Sequence, residues 1–141
     1  MSPLNTEKIQ TLISECRKAL AQLTRLAEVP RDELLSSDDR LGNLKYQFII
    51  AIESAIDICQ HVSAKRFNAL PDSYAECFSV LEKEGVIEPG LCSEMADLAR
   101  FRNLLVHLYW RVDNNRVIEK LEKLSVIELY LQRLAHYSGL V

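Results

Sequence analysis

The sequence predicts an all-α fold, a single bundle of about five helices in which two long antiparallel helices pack with shorter ones. Its 141 residues include only four glycines and four prolines, so the chain has few places at which to turn. Scarce turn residues favour long helices over a sheet with many hairpins. Apolar residues also recur at steps of three and four along most of the chain, which is the spacing of one face of a helix.

The length of the chain predicts one domain over residues 1–141, because a second domain would have too little sequence for its own core. Apolar residues make up 48% of the chain and charged residues 26%, as in ordinary globular proteins. No apolar run reaches the length of a bilayer, and the N-terminus lacks the basic and apolar regions of a signal peptide. We therefore expect a cytoplasmic protein.

The first two predicted helices are the long ones. The first runs from about Asn5 to Glu28, and Pro30 closes it. Its apolar stripe consists of Ile9, Leu12, Ile13, Cys16, Leu20 and Leu23. The polar residues 36–39 offer N-cap oxygens for the second helix. The face of that helix consists of Leu41, Leu44, Phe48, Ile52, Ala55, Cys59 and Val62, and is widened by Ile49, Ile50 and Ile56. So apolar a helix is expected to be central, with its own bundle on one side and a partner chain on another.

Three shorter helices are predicted in the second half of the chain. Ser73 and Glu76 fit a capping box, which begins a helix from Tyr74 to about Lys83. The next helix begins around Leu91 and carries Met95, Leu98, Leu104 and Leu105. After a turn at residues 113–115, a last helix places on one side Val117, Leu121, Leu124, Ile127, Leu131 and Leu134.

The cysteines and the net charge limit the classes of protein to which this chain can belong. The four cysteines are scattered singly, with no Cys-x-x-Cys pair, at Cys16, Cys59, Cys77 and Cys92. Because they fall on or near apolar faces, we interpret them as small buried residues rather than disulfides or zinc ligands. The net charge of −3 argues against a strongly basic nucleic-acid binder, but charge can be local. Residues 100–116 carry four arginines against the single acid Asp113, which makes a small basic patch.

One histidine, His107, stands where polar side chains alternate with apolar ones. Asn103 and His107 are four residues apart and share a helical face, so the amide is expected to orient the imidazole. Arg102 and Tyr109 are two turns apart and share a neighbouring face if the helix extends that far. Arg102 and His107 lie about 140° apart around the axis. Their convergence on one ligand therefore needs the long arginine side chain or a helix end near His107.

Spacing alone leaves an ordinary interpretation open for each of these residues. Arg102 would then be a surface charge, Asn103 a polar helix residue, and His107 a residue that the helix dipole favours at a C-terminus. The other two histidines, His61 and His136, are interpreted as structural or solvated.

A family resemblance adds to this reading. Residues 102–109 read RNLLVHLY and resemble the Arg-x4-His-x-Tyr motif of HepT toxins, within the wider Arg-x4–6-His motif of HEPN ribonucleases. Residues 51–58 followed by His61 resemble the central helix of that family, and residues 71–78 resemble its middle segment. The match covers most of Leu41–Glu119 in the expected order. The chain is therefore identified as similar to HepT-like toxins of the HEPN superfamily.

The resemblance implies a metal-independent endoribonuclease without a cofactor, the toxin of a type II/VII-like toxin–antitoxin system. Arg102 and His107 would be catalytic and Asn103 supporting, with no metal ligands, and the substrate would be tRNA or mRNA. Residue chemistry agrees, because an imidazole with a pKa of about 6.5 exchanges protons readily and a guanidinium binds phosphate oxygens. One such histidine per chain leaves an acid–base pair incomplete, and family members form homodimers with their motif helices facing each other.

The resemblance also implies a partner, a minimal MntA-like nucleotidyltransferase antitoxin that AMPylates the motif tyrosine, here Tyr109. The added bulk and negative charge would block RNA phosphate. Without the resemblance, Tyr109 would be read as packing against Trp110 or a partner subunit. An alternative function is a non-catalytic HEPN module that binds or regulates a nucleotidyltransferase. A plain oligomeric bundle would leave the cluster of Arg102, Asn103, His107 and Tyr109 unexplained.

Overall fold

The computed structural model describes residues 3–140, and this part of the chain contains seven α-helices. They are α1 (Thr6–Ala27), α2 (Arg31–Leu35), α3 (Asp38–Phe67), α4 (Tyr74–Lys83), α5 (Pro89–His107), α6 (Asn114–Glu119) and α7 (Leu124–Tyr137). Within this described part there is no β-strand, and only α2 and α6 are shorter than ten residues. The prediction of an all-α bundle with about five principal helices is confirmed.

The two long helices, α1 and α3, run antiparallel as predicted. The backbone N–H of Asn5, at the start of α1, donates to the His61 ring near the end of α3 at 3.0 Å. Further along α1, the Cys16 thiol contacts the Ala51 carbonyl at 3.3 Å. Positions further along α1 therefore contact earlier positions of α3, as expected for two antiparallel helices. His61 is buried, and burial together with nearby lysines lowers its pKa. Its structural interpretation is confirmed.

α3 is the central helix and contacts α1, α4, α5 and α7. Its predicted inner face is buried throughout, at Leu41, Leu44, Phe48, Ile52, Ala55, Cys59 and Val62. Phe48 meets Phe101 of α5 edge-to-face, with ring centroids 5.4 Å apart. The Tyr130 hydroxyl of α7 donates to the Ala55 carbonyl at 2.8 Å. Aromatic packing and one buried hydrogen bond therefore fix α5 and α7 on the central helix.

The capping box at α4 is half formed. The Ser73 side chain accepts from the Glu76 N–H at 3.1 Å, as predicted. The Glu76 carboxylate, however, accepts from the N–H of Asp72, one residue before the predicted partner, at 3.0 Å. Both contacts satisfy N–H groups at the helix start that would otherwise lack partners.

The last predicted helix is broken in the structure. A turn of 3₁₀ helix over Lys120–Lys123 separates α6 from α7. The ammonium of Lys120 lies 5.4 Å from the centroid of the Phe101 ring, and Lys123 forms an ion pair with Glu94 at 3.0 Å. Both contacts reach α5, so tertiary packing overrides the continuous helical pattern here. The preceding helix, α5, also begins at Pro89 rather than around Leu91, because proline suits the first position of a helix.

All four cysteines are buried and free, which confirms their interpretation as small core residues. Among residues 3–140, no helix has the length and apolar character required to cross a membrane.

Candidate active site

The predicted site lies at the C-terminal end of α5, which the core anchors on one side. Phe101 and Leu105 are buried, whereas Arg102 and Asn103 are half-buried and His107 is exposed. The helix ends at His107, so one of the two conditions for convergence of Arg102 and His107 is met. Their convergence on one ligand remains a prediction.

Arg102 is fixed by the central helix. Its Nε donates to Glu53 Oε1 at 3.1 Å, and its Nη2 donates to the same oxygen. The guanidinium carbon also lies 5.5 Å from the centroid of the Tyr74 ring. The Arg102 side chain is only 17% exposed, whereas that of Glu53 is 39% exposed. The arrangement holds the guanidinium plane in one orientation, as recognition of a phosphate requires.

Asn103 contacts a different residue from the one we predicted. We expected its amide to orient the His107 ring, but its Oδ1 accepts from Arg102 Nη1 at 3.0 Å. The two residues are adjacent in the chain, and the long arginine side chain brings its guanidinium within hydrogen-bond distance of the amide. In the described part of the chain, the His107 ring makes no hydrogen bond or ion pair. Glu53 and Asn103 therefore both support Arg102, and His107 stands free one turn further on.

A second carboxyl group lies near this arginine. Asp57 follows Glu53 by one turn of α3, and burial together with the Glu53 charge raises its pKa. Glu53 and Asp57 offset the positive charge of Arg102. The electrostatic field at this arginine is therefore weaker than that of an unpaired guanidinium.

Tyr109 lies beyond the helix and packs against α3. Because α5 ends at His107, Tyr109 does not share a helical face with Arg102. Its hydroxyl donates to the Gly42 carbonyl at 3.0 Å. The Lys45 ammonium lies 5.0 Å from its ring centroid and donates to its backbone carbonyl at 3.1 Å.

The turn that carries Tyr109 is tight. The Leu108 carbonyl accepts from the N–H groups of Arg111 and Val112, at 2.8 and 2.9 Å. Within this turn Tyr109 is half-buried and Val112 buried, but Trp110 is 79% exposed. The turn therefore directs neighbouring side chains to opposite sides.

Sequence reasoning missed two residues of this region, Glu53 and Lys45. Each is a single charge in the apolar surface of the second predicted helix. Lys45 lies between Leu44 and Phe48, and Glu53 follows Ile52. A charged residue among buried positions needs a partner elsewhere in the fold. That break in the apolar pattern was the available signal.

Comparison with known proteins identifies the family of the chain and agrees with its fold. A family model described as ribonuclease HepT-like matches residues 16–134. The chain therefore belongs to the HepT-like ribonuclease family. It is similar to the tRNA nuclease HepT of Aphanizomenon flos-aquae, with 29% identity over 119 residues, which cover 79% of this chain and 81% of that protein.

Solved structures show the same fold. One is the tri-AMPylated HEPN toxin of Shewanella oneidensis in complex with MNT antitoxin, with a TM-score of 0.84 at 16% identity, covering 92% of this chain and 97% of that chain. Another is YutE of Bacillus subtilis, a cytosolic protein of unknown function, with a TM-score of 0.81 at 21% identity, covering 97% of this chain and 92% of that chain. At these identities the likeness concerns the fold alone.

Proposed function

We propose that this chain is the toxin of a toxin–antitoxin pair and a metal-independent endoribonuclease. The observation that carries the proposal is the guanidinium of Arg102, held by Glu53 and Asn103 before an exposed His107 at the end of α5. Membership of the HepT-like ribonuclease family supports it.

The reaction follows from the chemistry of these two side chains. The 2′-oxygen of RNA attacks the adjacent phosphorus while the bond from phosphorus to the 5′-oxygen breaks. One imidazole takes the proton of the 2′-OH, and a second group returns a proton to the leaving 5′-oxygen. The fixed guanidinium of Arg102 stabilises the charge that develops on the phosphoryl oxygens. The products are a 2′,3′-cyclic phosphate and a 5′-OH.

A second copy of the chain would complete this site. One protomer offers one exposed imidazole at α5, whereas the reaction uses both an acid and a base. Three exposed apolar side chains flank His107, namely Val106, Leu108 and Trp110. Exposed apolar residues that cluster around a polar group mark interaction surfaces. A two-fold axis at this surface would bring together His107 and Arg102 from both protomers.

The test of this function uses the nucleophile of the substrate. Cleavage is first mapped on total tRNA and on a long mRNA, which shows which RNA is cut. The same RNA is then synthesised with a single 2′-deoxy nucleotide at the cleaved position. We expect cutting of the all-ribose substrate only, because the deoxy substrate lacks the attacking oxygen. Equal cleavage of both substrates would contradict the proposed mechanism.

Loss of Glu53 should weaken the site through Arg102. Glu53→Ala is expected to lower kcat about tenfold, since a charge-assisted hydrogen bond then no longer orients the guanidinium. Glu53→Gln keeps an acceptor oxygen and should recover part of the rate. Asp97→Ala is the matched control, because Asp97 also pairs with an arginine, Arg100, but on the exposed surface of α5. Its rate should stay within about twofold of the wild type. A Glu53→Ala enzyme with wild-type kcat would refute this positioning role.

The proposed partner is a cognate MntA-like nucleotidyltransferase that modifies Tyr109. The phenolic oxygen forms a bond to the α-phosphorus of ATP, pyrophosphate leaves, and the phenolic proton passes to solvent. The added phosphate lies two residues after His107 and would repel RNA phosphate. The AMPylated state and antitoxin complex of the Shewanella oneidensis toxin support the assignment by analogy.

Tyr109→Phe is expected to escape neutralisation, because the ring remains but the nucleophile is lost. The measurement is the ratio of cleavage rates with and without the nucleotidyltransferase and ATP, together with the mass of the intact protein. Tyr46→Phe is the control, since Tyr46 is an exposed tyrosine of α3 and the variant should still be modified and inhibited. A Tyr109→Phe protein that still gains AMP would rule out this site.

A further inference from the structure

The hydroxyl of Tyr109 contacts a glycine of α3, Gly42. Gly42 lies inside α3, where glycine is less favourable than alanine. Its carbonyl accepts the Tyr109 hydroxyl proton at 3.0 Å. A Cβ atom built at Gly42 would lie 3.7 Å from that hydroxyl oxygen, so an alanine would fit and a larger side chain would crowd the phenol.

Lys45, one turn further along α3, holds the same tyrosine. It is 8% exposed, and a buried ammonium group needs partners. Its hydrogen bond reaches the backbone carbonyl of Tyr109 at 3.1 Å, and its charge lies 5.0 Å from the ring centroid. The lysine therefore contacts both the backbone and the ring of Tyr109, while Gly42 receives the hydroxyl.

We propose that Gly42 and Lys45 form a dock that protects the hydroxyl of Tyr109, and that Tyr109 must leave this dock before the hydroxyl can be modified. In the docked state the phenolic proton is committed to the Gly42 carbonyl, and the half-buried ring lies against α3. For AMP transfer, the phenolic oxygen must approach the α-phosphorus of ATP from the side opposite the pyrophosphate leaving group. This approach needs open space around the phenolic oxygen. The modification of Tyr109 rests on the proposed function, but the existence of the dock does not depend on that function.

Modification would also prevent return to the dock. Once the phenolic oxygen is bonded to phosphorus, it has no proton to donate to Gly42. The phosphate oxygens would instead face a carbonyl oxygen, which is repulsive. Because the turn that carries Tyr109 begins directly after His107, release of the dock frees the chain next to the site. The dock therefore links modification of Tyr109 to the geometry at the end of α5.

The dock can be tested without the antitoxin by acetylating tyrosines with N-acetylimidazole and measuring each site by peptide mass spectrometry. In the wild-type protein, Tyr109 should react several-fold more slowly than the exposed Tyr46. Gly42→Leu should speed acetylation of Tyr109 about fivefold, the factor that corresponds to loss of one ordinary hydrogen bond. Gly42→Ala, the matched control, should leave the rate within about twofold of the wild type, as expected for a Cβ in ordinary contact.

A second variant and an internal reference guard against unfolding. Tyr130 is fully buried and should stay unreactive in every folded variant. If Tyr130 becomes reactive in Gly42→Leu, that variant has lost its fold and Lys45→Met is used in its place. We expect Tyr109 to be acetylated faster in Lys45→Met than in the wild type. Wild-type Tyr109 reacting as fast as Tyr46 would overturn the dock. Unchanged acetylation of Tyr109 in the folded variants would overturn it as well.

The same proteins are then treated with the cognate nucleotidyltransferase and ATP. AMP transfer to Tyr109 should be faster in Gly42→Leu and Lys45→Met than in the wild type, and slower transfer would contradict a protective dock. Faster acetylation without AMP transfer in any protein would contradict the proposed modification and leave the dock intact. AMP transfer at the wild-type rate with unchanged acetylation would contradict the dock and leave the proposed modification intact.

Discussion

A dimer that combines one wild-type protomer with one His107→Ala protomer is expected to cut RNA about a hundredfold more slowly than the wild-type dimer, because loss of the acid or the base removes a contribution of this size. The two imidazoles act on one substrate in the proposed site, so one alanine disables the whole dimer. The measurement is the initial rate of cleavage by dimers purified through two different affinity tags.

The control for the mixed dimer pairs a wild-type protomer with His136→Ala. His136 is exposed near the end of α7 and belongs to no part of the proposed site. This dimer should keep the wild-type rate. Half the wild-type rate in the His107 mixed dimer would mean that each protomer cuts RNA independently, which would contradict a shared site.

Arg102→Lys is expected to lower kcat about a hundredfold, as for the loss of one preorganised donor that stabilises the transition state. The charge is kept, but the guanidinium uses Nε and Nη2 on Glu53 and Nη1 on Asn103. A lysine offers a single ammonium group and cannot hold both partners while it binds phosphate. Initial rates at saturating RNA measure the effect.

The matched control for Arg102→Lys is Arg100→Lys. Arg100 lies on the same helix and pairs with Asp97, but it is exposed. Its rate should remain within about twofold of the wild type. Equal rates for both lysine variants would show that Arg102 contributes charge alone.

The helices were predictable because their apolar residues repeat with the helical period. The inner face of α3 is buried at each predicted position. The break between α6 and α7 was not predictable, because it depends on contacts of Lys120 and Lys123 with another helix. Local pattern indicates where a helix can form, and packing decides where it is interrupted.

The same division holds at the candidate site. The motif singled out Arg102 and His107 on one predicted helix but left open where that helix ends, and spacing suggested a partner for Asn103. Spacing favoured His107, four residues further along the helix, but the structure pairs Asn103 with the adjacent Arg102. Glu53 is 49 residues before Arg102, so no local pattern joins the two. A pairing between helices of this kind appears only once the bundle is folded.

The central claim is cleavage of RNA by His107 and Arg102 without a metal ion. Its most direct test is to incubate the purified dimer with the RNA in EDTA, wild type beside His107→Ala, and to identify the product ends. We expect cleavage by the wild type alone, with 2′,3′-cyclic phosphate and 5′-OH ends. Equal cleavage by both proteins, or none by a stable wild-type dimer, would contradict it. The latter result would favour a non-catalytic module that binds a nucleotidyltransferase.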